Sequence, residues 1–332
     1  VSTHRSPLPG TGRITLVLLA TAAATTAYPW QSARERWVLG IGIAVAVALL
    51  AQWRGLPLST ILRRRASINR PKQGERRARR TVTDPRVTVL LRVAARQEDT
   101  DSLPLPLIAR YLDRYGLRAD AIRVTSRDVG DHAGARERTT WIGLTFAAVD
   151  NLAALQARSP GIPLHQTAVV VARRLADHLR ESGWAANVVE PDDIPELDTA
   201  GSRETWHSVV QADGDHLAAY RAAPRQDVPE LLAKVWSYPA PETWTALEIA
   251  GIGDDQTLAF AAAFRTGAQP GGGGPLPGLS PQPGNQRASL AALHPSSVHR
   301  LDGHAVVARD WLTRLRWPSS TARRSPTDAT VG

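Results

Sequence analysis

The chain has 332 residues, of which 40 are Lys or Arg and 31 are Asp or Glu, a formal surplus of nine positive charges. Up to Arg80 there are 14 basic and 2 acidic residues, and beyond it 26 and 29, so the larger part lacks the basic face that a nucleic-acid-binding domain carries. The absence of cysteine excludes disulfides, zinc ribbons, iron–sulfur clusters and thiol catalysis.

Residues 1–13 form a short polar start. Residues 14–33 then run without a charge, and residues 37–53 do so again. At about 1.5 Å per helical residue these stretches reach roughly 26 to 30 Å, close to the hydrocarbon thickness of a bilayer. The second reads WVLGIGIAVAVALLAQW and is apolar on every face. Trp37 and Trp53 stand at its ends, where interfacial aromatics are expected. The first has the form of a secretory signal peptide as well, but a second span so soon after it favours a transmembrane helical hairpin over 14–53, with Trp30 at the turn.

Residues 54–80 make a basic juxtamembrane linker that includes Arg63, Arg64, Arg65, Arg76, Arg77, Arg79 and Arg80. The positive-inside rule then places both termini on the cytoplasmic side of a bacterial inner membrane. These arginines act as a topology determinant or as contacts to anionic lipid headgroups.

Residues 81–318 read as a cytosolic mixed α/β domain, before a polar tail at 319–332. Strands are expected at 87–93, 121–125, 139–146 and 186–189. A helix is expected from Pro106 to Tyr115, with Gly116 as its C-terminal cap. The clearest helix covers 165–182, because Leu164, Ala168, Val171, Leu175 and Leu179 form one apolar stripe. With the strands on either side it makes a crossover unit, and so predicts helices packed on a sheet.

Strands at 206–211 and 217–222 flank Asp213-Gly214, the pair that suits a type I′ hairpin turn. Segments 245–249 and 257–264 flank Gly253-Asp254-Asp255 and predict a second hairpin. The Gly- and Pro-rich stretch 269–286 is expected to be a loop or a disordered excursion. Trp311, Leu312, Leu315 and Trp317 suggest a last short element.

Chemistry is sparse. Gly271 to Gly274 is followed by Pro275, Leu276 and Pro277, without the Gly-Lys-Ser/Thr end a phosphate loop needs. Asp213-Gly214-Asp215 has the Asp-x-Asp form by which a glycosyltransferase holds a divalent metal and a nucleotide-sugar diphosphate. Backbone geometry alone also demands Asp-Gly at a hairpin turn. Asp99 and Asp101 repeat the pattern. His294, His299, His304 and Asp302 have spacings that match no standard metal site. No G-x-S-x-G elbow is present, and no cofactor is expected.

The hairpin and linker, joined to TTWIGLTFAAVDNLAALQARS (139–159), TAVVVARRLADHLRESGW (167–184), PLPGLSPQPGNQRASLAALHP (275–295) and HRLDGH (299–304), resemble the EccE family of mycobacterial type VII (ESX) secretion systems. The resemblance implies a non-enzymatic structural subunit of the inner-membrane complex, beside EccB, the ATPase EccC and EccD, supporting assembly and export. It also implies a cytosolic fold similar to a glycosyltransferase without an intact catalytic set, and inclines toward the ESX type that exports PE and PPE proteins. No small-molecule substrate or nucleic acid is expected as a partner. The alternative is a membrane-anchored glycosyltransferase-like enzyme using a nucleotide sugar through Asp213 and Asp215.

Overall fold

The computed structural model describes residues 52–53, 56–57, 64–65, 86–95, 102–130, 136–158, 161, 163–199, 201–222, 227–306 and 310–318. The chain divides into two units, Val1–Lys72 and Gln73–Gly332. In the first, Gln52–Trp53 pair with Leu56–Pro57 as a minimal antiparallel ladder, so the last two residues of the second expected span are extended rather than helical. Arg64 and Arg65 lie in helical backbone. The rest of both expected spans lies outside the described residues, as do Trp30, Trp37, Arg63, Arg76, Arg77, Arg79, Arg80 and the tail at 319–332. Among the described residues, no helix is long and apolar enough to cross a membrane.

The second unit is built on one sheet of eleven strands. In chain order the strands are β1 Arg86–Ala95, β2 Ala121–Gly130, β3 Arg136–Ala147, β4 Trp184–Val189, β5 Arg203–Glu204, β6 Val209–Val210, β7 His216–Ala222, β8 Glu242–Ala250, β9 Thr257–Thr266, β10 Leu279–Pro281 and β11 Ala305–Val306. Their order across the sheet is β4-β1-β3-β2-β8-β9-β7-β6-β5, with β10 beside β7 and β11 beside β9. Every pairing is antiparallel. The helices are α1 Leu105–Ala109, α2 Leu152–Arg158, α3 Leu164–Glu181, α4 Val228–Ser237, α5 Gln286–Leu293 and α6 Trp311–Arg314.

The sheet separates two cores, and strand β9 shows how the sequence divides between them. Side chains alternate across a strand with period two, so Leu258, Phe260, Ala262 and Phe264 face one core while Ala259, Ala261 and Ala263 face the other. The first core is roofed by α3, whose Ala168, Val171, Leu175 and Leu179 are buried as the stripe predicts, and by residues of α1, α4 and α6. A fully buried Leu contributes about 1.5 to 3 kcal/mol, so this stripe fixes α3 on the sheet. The second core is covered by Leu290 and Leu293 of α5, by Ile194 and Leu197, and by Leu301. The small Ala side chains of β9 leave room there for α5 and irregular chain to approach closely. Burial on both faces explains why β9 reads as a continuous apolar run from Leu258 to Phe264 rather than as an alternating one.

The crossover expected around α3 is present in modified form. Strand β1 pairs antiparallel with both β3 and β4, so β3 and β4 point the same way with β1 between them, and α3 makes the connection that parallel strands require. The helix expected over 106–115 stops early. Helix α1 ends at Ala109, a 3-10 turn covers Arg110–Leu112, and Asp113–Arg114 then pair with Leu117–Arg118. Tyr115 (φ 59°) and Gly116 (φ 71°) form the turn between them, with the two positive φ angles of a type I′ hairpin. Gly116 therefore shapes a hairpin instead of capping a helix.

Segment 269–286 is an ordered loop. Leu279–Pro281 pairs with β7, and a side chain on Gly274 would meet the Leu279 carbonyl oxygen. Gln286, fully buried, accepts from the Ala219 amide at 2.7 Å and donates to the Gln282 carbonyl at 2.9 Å. The last element is α6, and Trp317 beyond it is buried, its indole donating to Ser126 Oγ at 2.8 Å.

Candidate functional site

A row of charges crosses the sheet on the second core face. Arg127 of β2 donates to Glu242 of β8 at 2.6 Å, and Arg265 of β9, directly opposite Glu242, donates to its other oxygen at 3.3 Å. Arg265 also donates from Nε to Asp215 at 2.8 Å and from Nη2 to Asp213. Trp244 donates to Glu242 at 2.8 Å, lies under the Arg127 guanidinium and stacks on Trp141 with ring centroids 5.8 Å apart. The row borders a cavity of about 440 Å³ whose wall also includes Leu197, Thr199 and Gln211.

The Asp213-Gly214-Asp215 turn meets this row through its own geometry. The Gln211 amide bonds the Asp215 carbonyl at 2.7 Å, and the Gly214 amide bonds the Gln211 carbonyl at 3.1 Å. Gly214 has φ 91°, whereas Asp213 is absent from the residues with positive φ. The connection is thus a three-residue loop, a type I turn closed by a left-handed glycine, and not the two-residue type I′ turn expected. The longer loop turns both carboxylates toward Arg265. One guanidinium is thereby shared by the two groups that the Asp-x-Asp reading assigned to a metal. No cluster of three or more His, Asp or Glu side chains suited to a cation occurs among the described residues.

Electrostatically the row neutralises itself. Burial pushes the Glu242 carboxyl up, but the bonds from Arg127, Trp244 and Arg265 outweigh it and hold the group below the usual carboxylate range. The Asp215 bond raises the Arg265 guanidinium further against the opposing effect of burial. Both partners stay charged at neutral pH. The arrangement supplies fixed charge and hydrogen bonds without a free general base.

A second network fastens the chain from 294 to 304 onto the same face. Arg123 of β2 and Glu248 of β8 are both buried and paired through Nε at 3.0 Å and through Nη2. Arg123 also donates to the carbonyls of His294 and Ser297 at 3.1 Å and to that of His299. Glu248 accepts from the Leu301 amide at 3.3 Å and from His304 Nε2 at 2.9 Å, while His304 Nδ1 bonds Thr257 at 3.0 Å. Burial raises the Glu248 carboxyl, and His304 and Arg123 more than reverse it. His294 instead bonds Ser296 at 2.7 Å, so the His294, His299, His304 and Asp302 set does not converge. Asp99 and Asp101 lie outside the described residues, and Gly271 to Gly274 belongs to the ordered loop.

Sequence reasoning missed Arg265, Glu242, Arg123 and Glu248. The usable signal was a charged residue at a core-facing position inside an apolar strand, as in AIRVT (121–125) and WTALEIA (244–250). Such a charge is rarely buried unless paired.

These features define a mixed α/β domain whose conspicuous polar residues are committed to one another. Residues 134–222, from the start of β3 through β7, match the EccE family model, described as a type VII ESX secretion system translocon. The chain is 52% identical over 317 residues to the ESX-3 secretion system protein EccE3 of Mycobacterium tuberculosis (strain ATCC 25618 / H37Rv), covering 95% of this chain and 94% of that one. It is 47% identical over 298 residues to the protein of the same name from Mycolicibacterium smegmatis, covering 89% and 91%. It is 25% identical over 142 residues, 41% of this chain and 26% of the other, to the ESX-2 secretion system protein EccE2 of Mycobacterium tuberculosis (strain CDC 1551 / Oshkosh). The chain belongs to the EccE family, and with it to the components of type VII secretion.

Proposed function

We propose that this chain is a non-enzymatic structural subunit of an ESX inner-membrane complex, of the ESX-3 type, that supports assembly of the complex and export through it. The near end-to-end likeness to relatives named as ESX-3 secretion system proteins carries the reading. Two spans, one over 14–33 and one from Trp37 that ends before the extended pair Gln52–Trp53, anchor it, with both termini cytoplasmic, and the body contacts neighbouring subunits, EccB, EccC and EccD among them. The commitment of Asp213 and Asp215 to Arg265 supports a role without bond-making chemistry, because a divalent metal would have to displace a guanidinium held by three carboxylates.

The test is affinity purification of the tagged chain from mild-detergent membranes of a strain lacking the untagged copy. Recovery in a large particle with a membrane ATPase, together with loss of export on deletion, is the expected result. A lone small particle, under conditions that preserve the rest of the complex, overturns the reading. Metal-dependent nucleotide-sugar binding abolished by Asp213→Ala would replace it with the glycosyltransferase-like alternative.

A further inference from the structure

On the face of the sheet that carries α3, two guanidinium groups lie against one exposed aromatic ring at the 115–116 turn, and a third holds the backbone carbonyl of the same residue. Arg114 lies 5.2 Å from the centre of the Tyr115 ring and Arg174 of α3 lies 4.3 Å from it. Arg158 of α2 donates to the Tyr115 carbonyl at 2.9 Å. Each of the three comes from a different element. Among the described residues none is paired with a carboxylate, in contrast to Arg123, Arg127, Arg138 and Arg265, which all are. Three like charges gathered at one residue repel one another. The repulsion is relieved when an anion enters.

The patch is also preorganised. Tyr111, fully buried beneath it, bonds His178 Nδ1 of α3 through its hydroxyl at 2.5 Å. Asn151 bonds both the amide and the carbonyl of Arg118, at 2.7 and 2.8 Å, and so ties the turn before α2 to the same small hairpin. Of the six large apolar side chains exposed among the described residues, four (Tyr115, Val149, Leu152 and Val170) belong to these elements. Val170 stands one helical turn from Arg174 on α3. Unpaired arginines beside exposed apolar side chains suit a surface that offers both negative charge and hydrocarbon.

We propose that Arg114, Arg158 and Arg174 around Tyr115 form a binding site for the phosphate of an anionic phospholipid, by which the body docks on the membrane face. The phosphodiester oxyanion accepts from the three guanidinium groups, and Tyr115, Val149 and Leu152 rest at the headgroup boundary. The site presupposes that the chain works at a membrane, as proposed above.

The experiment uses the full chain with vesicles of phosphatidylcholine alone, of phosphatidylcholine with phosphatidylglycerol, and of phosphatidylcholine plus inorganic phosphate. Flotation with the zwitterionic vesicles reads the anchor, and amide hydrogen exchange over 110–118, 149–158 and 170–178 reads the patch. Protection is expected only with phosphatidylglycerol. Arg114→Ala and Arg174→Ala should each weaken it about fivefold, and the corresponding Lys variants should retain most of it while the unfolding midpoint stays unchanged. A chain that fails to float with zwitterionic vesicles refutes the anchor but leaves the patch to be judged by flotation with anionic ones. Equal protection by inorganic phosphate overturns the lipid assignment in favour of a free phosphate ligand. No difference among the three conditions overturns the site altogether, as does protection seen only when other secretion subunits are added, which assigns the patch to a protein.

Discussion

At the scale of single residues, the Arg123–Glu248 pair has the most to lose from substitution. Both side chains are removed from water, and desolvation makes such a pair weak evidence for net stability. Deleting one partner is another matter, because the other charge stays buried. Glu248→Ala should therefore cost about 3 to 5 kcal/mol in urea unfolding, and it also strips the Leu301 amide and His304 of an acceptor. An unchanged midpoint would show that the 294–304 segment is held by apolar contact alone.

Glu242 gives the matching pH prediction. Its folded-state pKa lies below the ordinary value, so its contribution is fully present above the ordinary carboxylate pKa of about 4.3 and is lost as pH falls through the lower folded value. The wild-type urea midpoint should fall as pH is lowered across that window. Glu242→Gln, which cannot titrate, should show a shallower fall. A profile as steep as the wild type's would assign the acid sensitivity to other carboxylates.

At the scale of elements, periodicity in the sequence located the long strands and α3, because period two and period 3.6 are properties of the local chain, whereas α2, α4 and α5 were not anticipated. Further errors occurred where tertiary contact decided the local geometry. Helix α1 stops at Ala109 because Tyr111 turns into the core and bonds His178 from α3, a partner 67 residues away. The 269–286 loop is ordered because Leu279–Pro281 finds an open ladder position beside β7, which its Gly and Pro content could not announce. The Asp213 loop has one residue more than expected because Arg265, far along the chain, is placed to receive both carboxylates.

Gly143 tests one of these long-range placements directly. It sits in β3 opposite Leu90 and Arg123, where a side chain would come within 2.5 Å of the Pro295 carbonyl oxygen. The glycine thus lets the 294–299 backbone press close enough for Arg123 to grip its carbonyls. Gly143→Ala should destabilise the body by about 1 to 3 kcal/mol through overpacking. Hydrogen exchange should rise over 294–304 before it rises in α3. Uniform loss of protection would mean that the segment and the sheet unfold as one unit.

At the scale of the whole molecule, the two faces of the sheet are covered by different means. One carries regular helices laid down by apolar stripes. The other carries α5 and irregular chain held by buried charge over a floor of small Ala side chains. The basic linker before the body carries the surplus of positive charge, and together with the two apolar stretches that precede it it bears on how the chain is held at a membrane. Full-length chain should stay in the membrane pellet through alkaline carbonate extraction, and a chain lacking residues 1–80 should be released by high salt, as expected of the arginine patch alone. Retention of the shortened chain in carbonate would refute the anchoring role of the apolar stretches.

The sequence by itself determined the charge asymmetry, the apolar stretches of spanning length, the α3 stripe, the hairpin signals and the likeness to the EccE family. Each of these depends on neighbours within a few turns of chain, or on long runs that match a relative. Only the tertiary structure decided which charges meet. Arg265 reaches Asp213 and Asp215 from about 50 residues away, and Arg123 finds Glu248 at a separation of 125. Arg114, Arg158 and Arg174 share one tyrosine across three elements. Such pairings depend on sheet order and register, and neither is written in the local pattern because an antiparallel sheet of this size admits many orders with the same alternation.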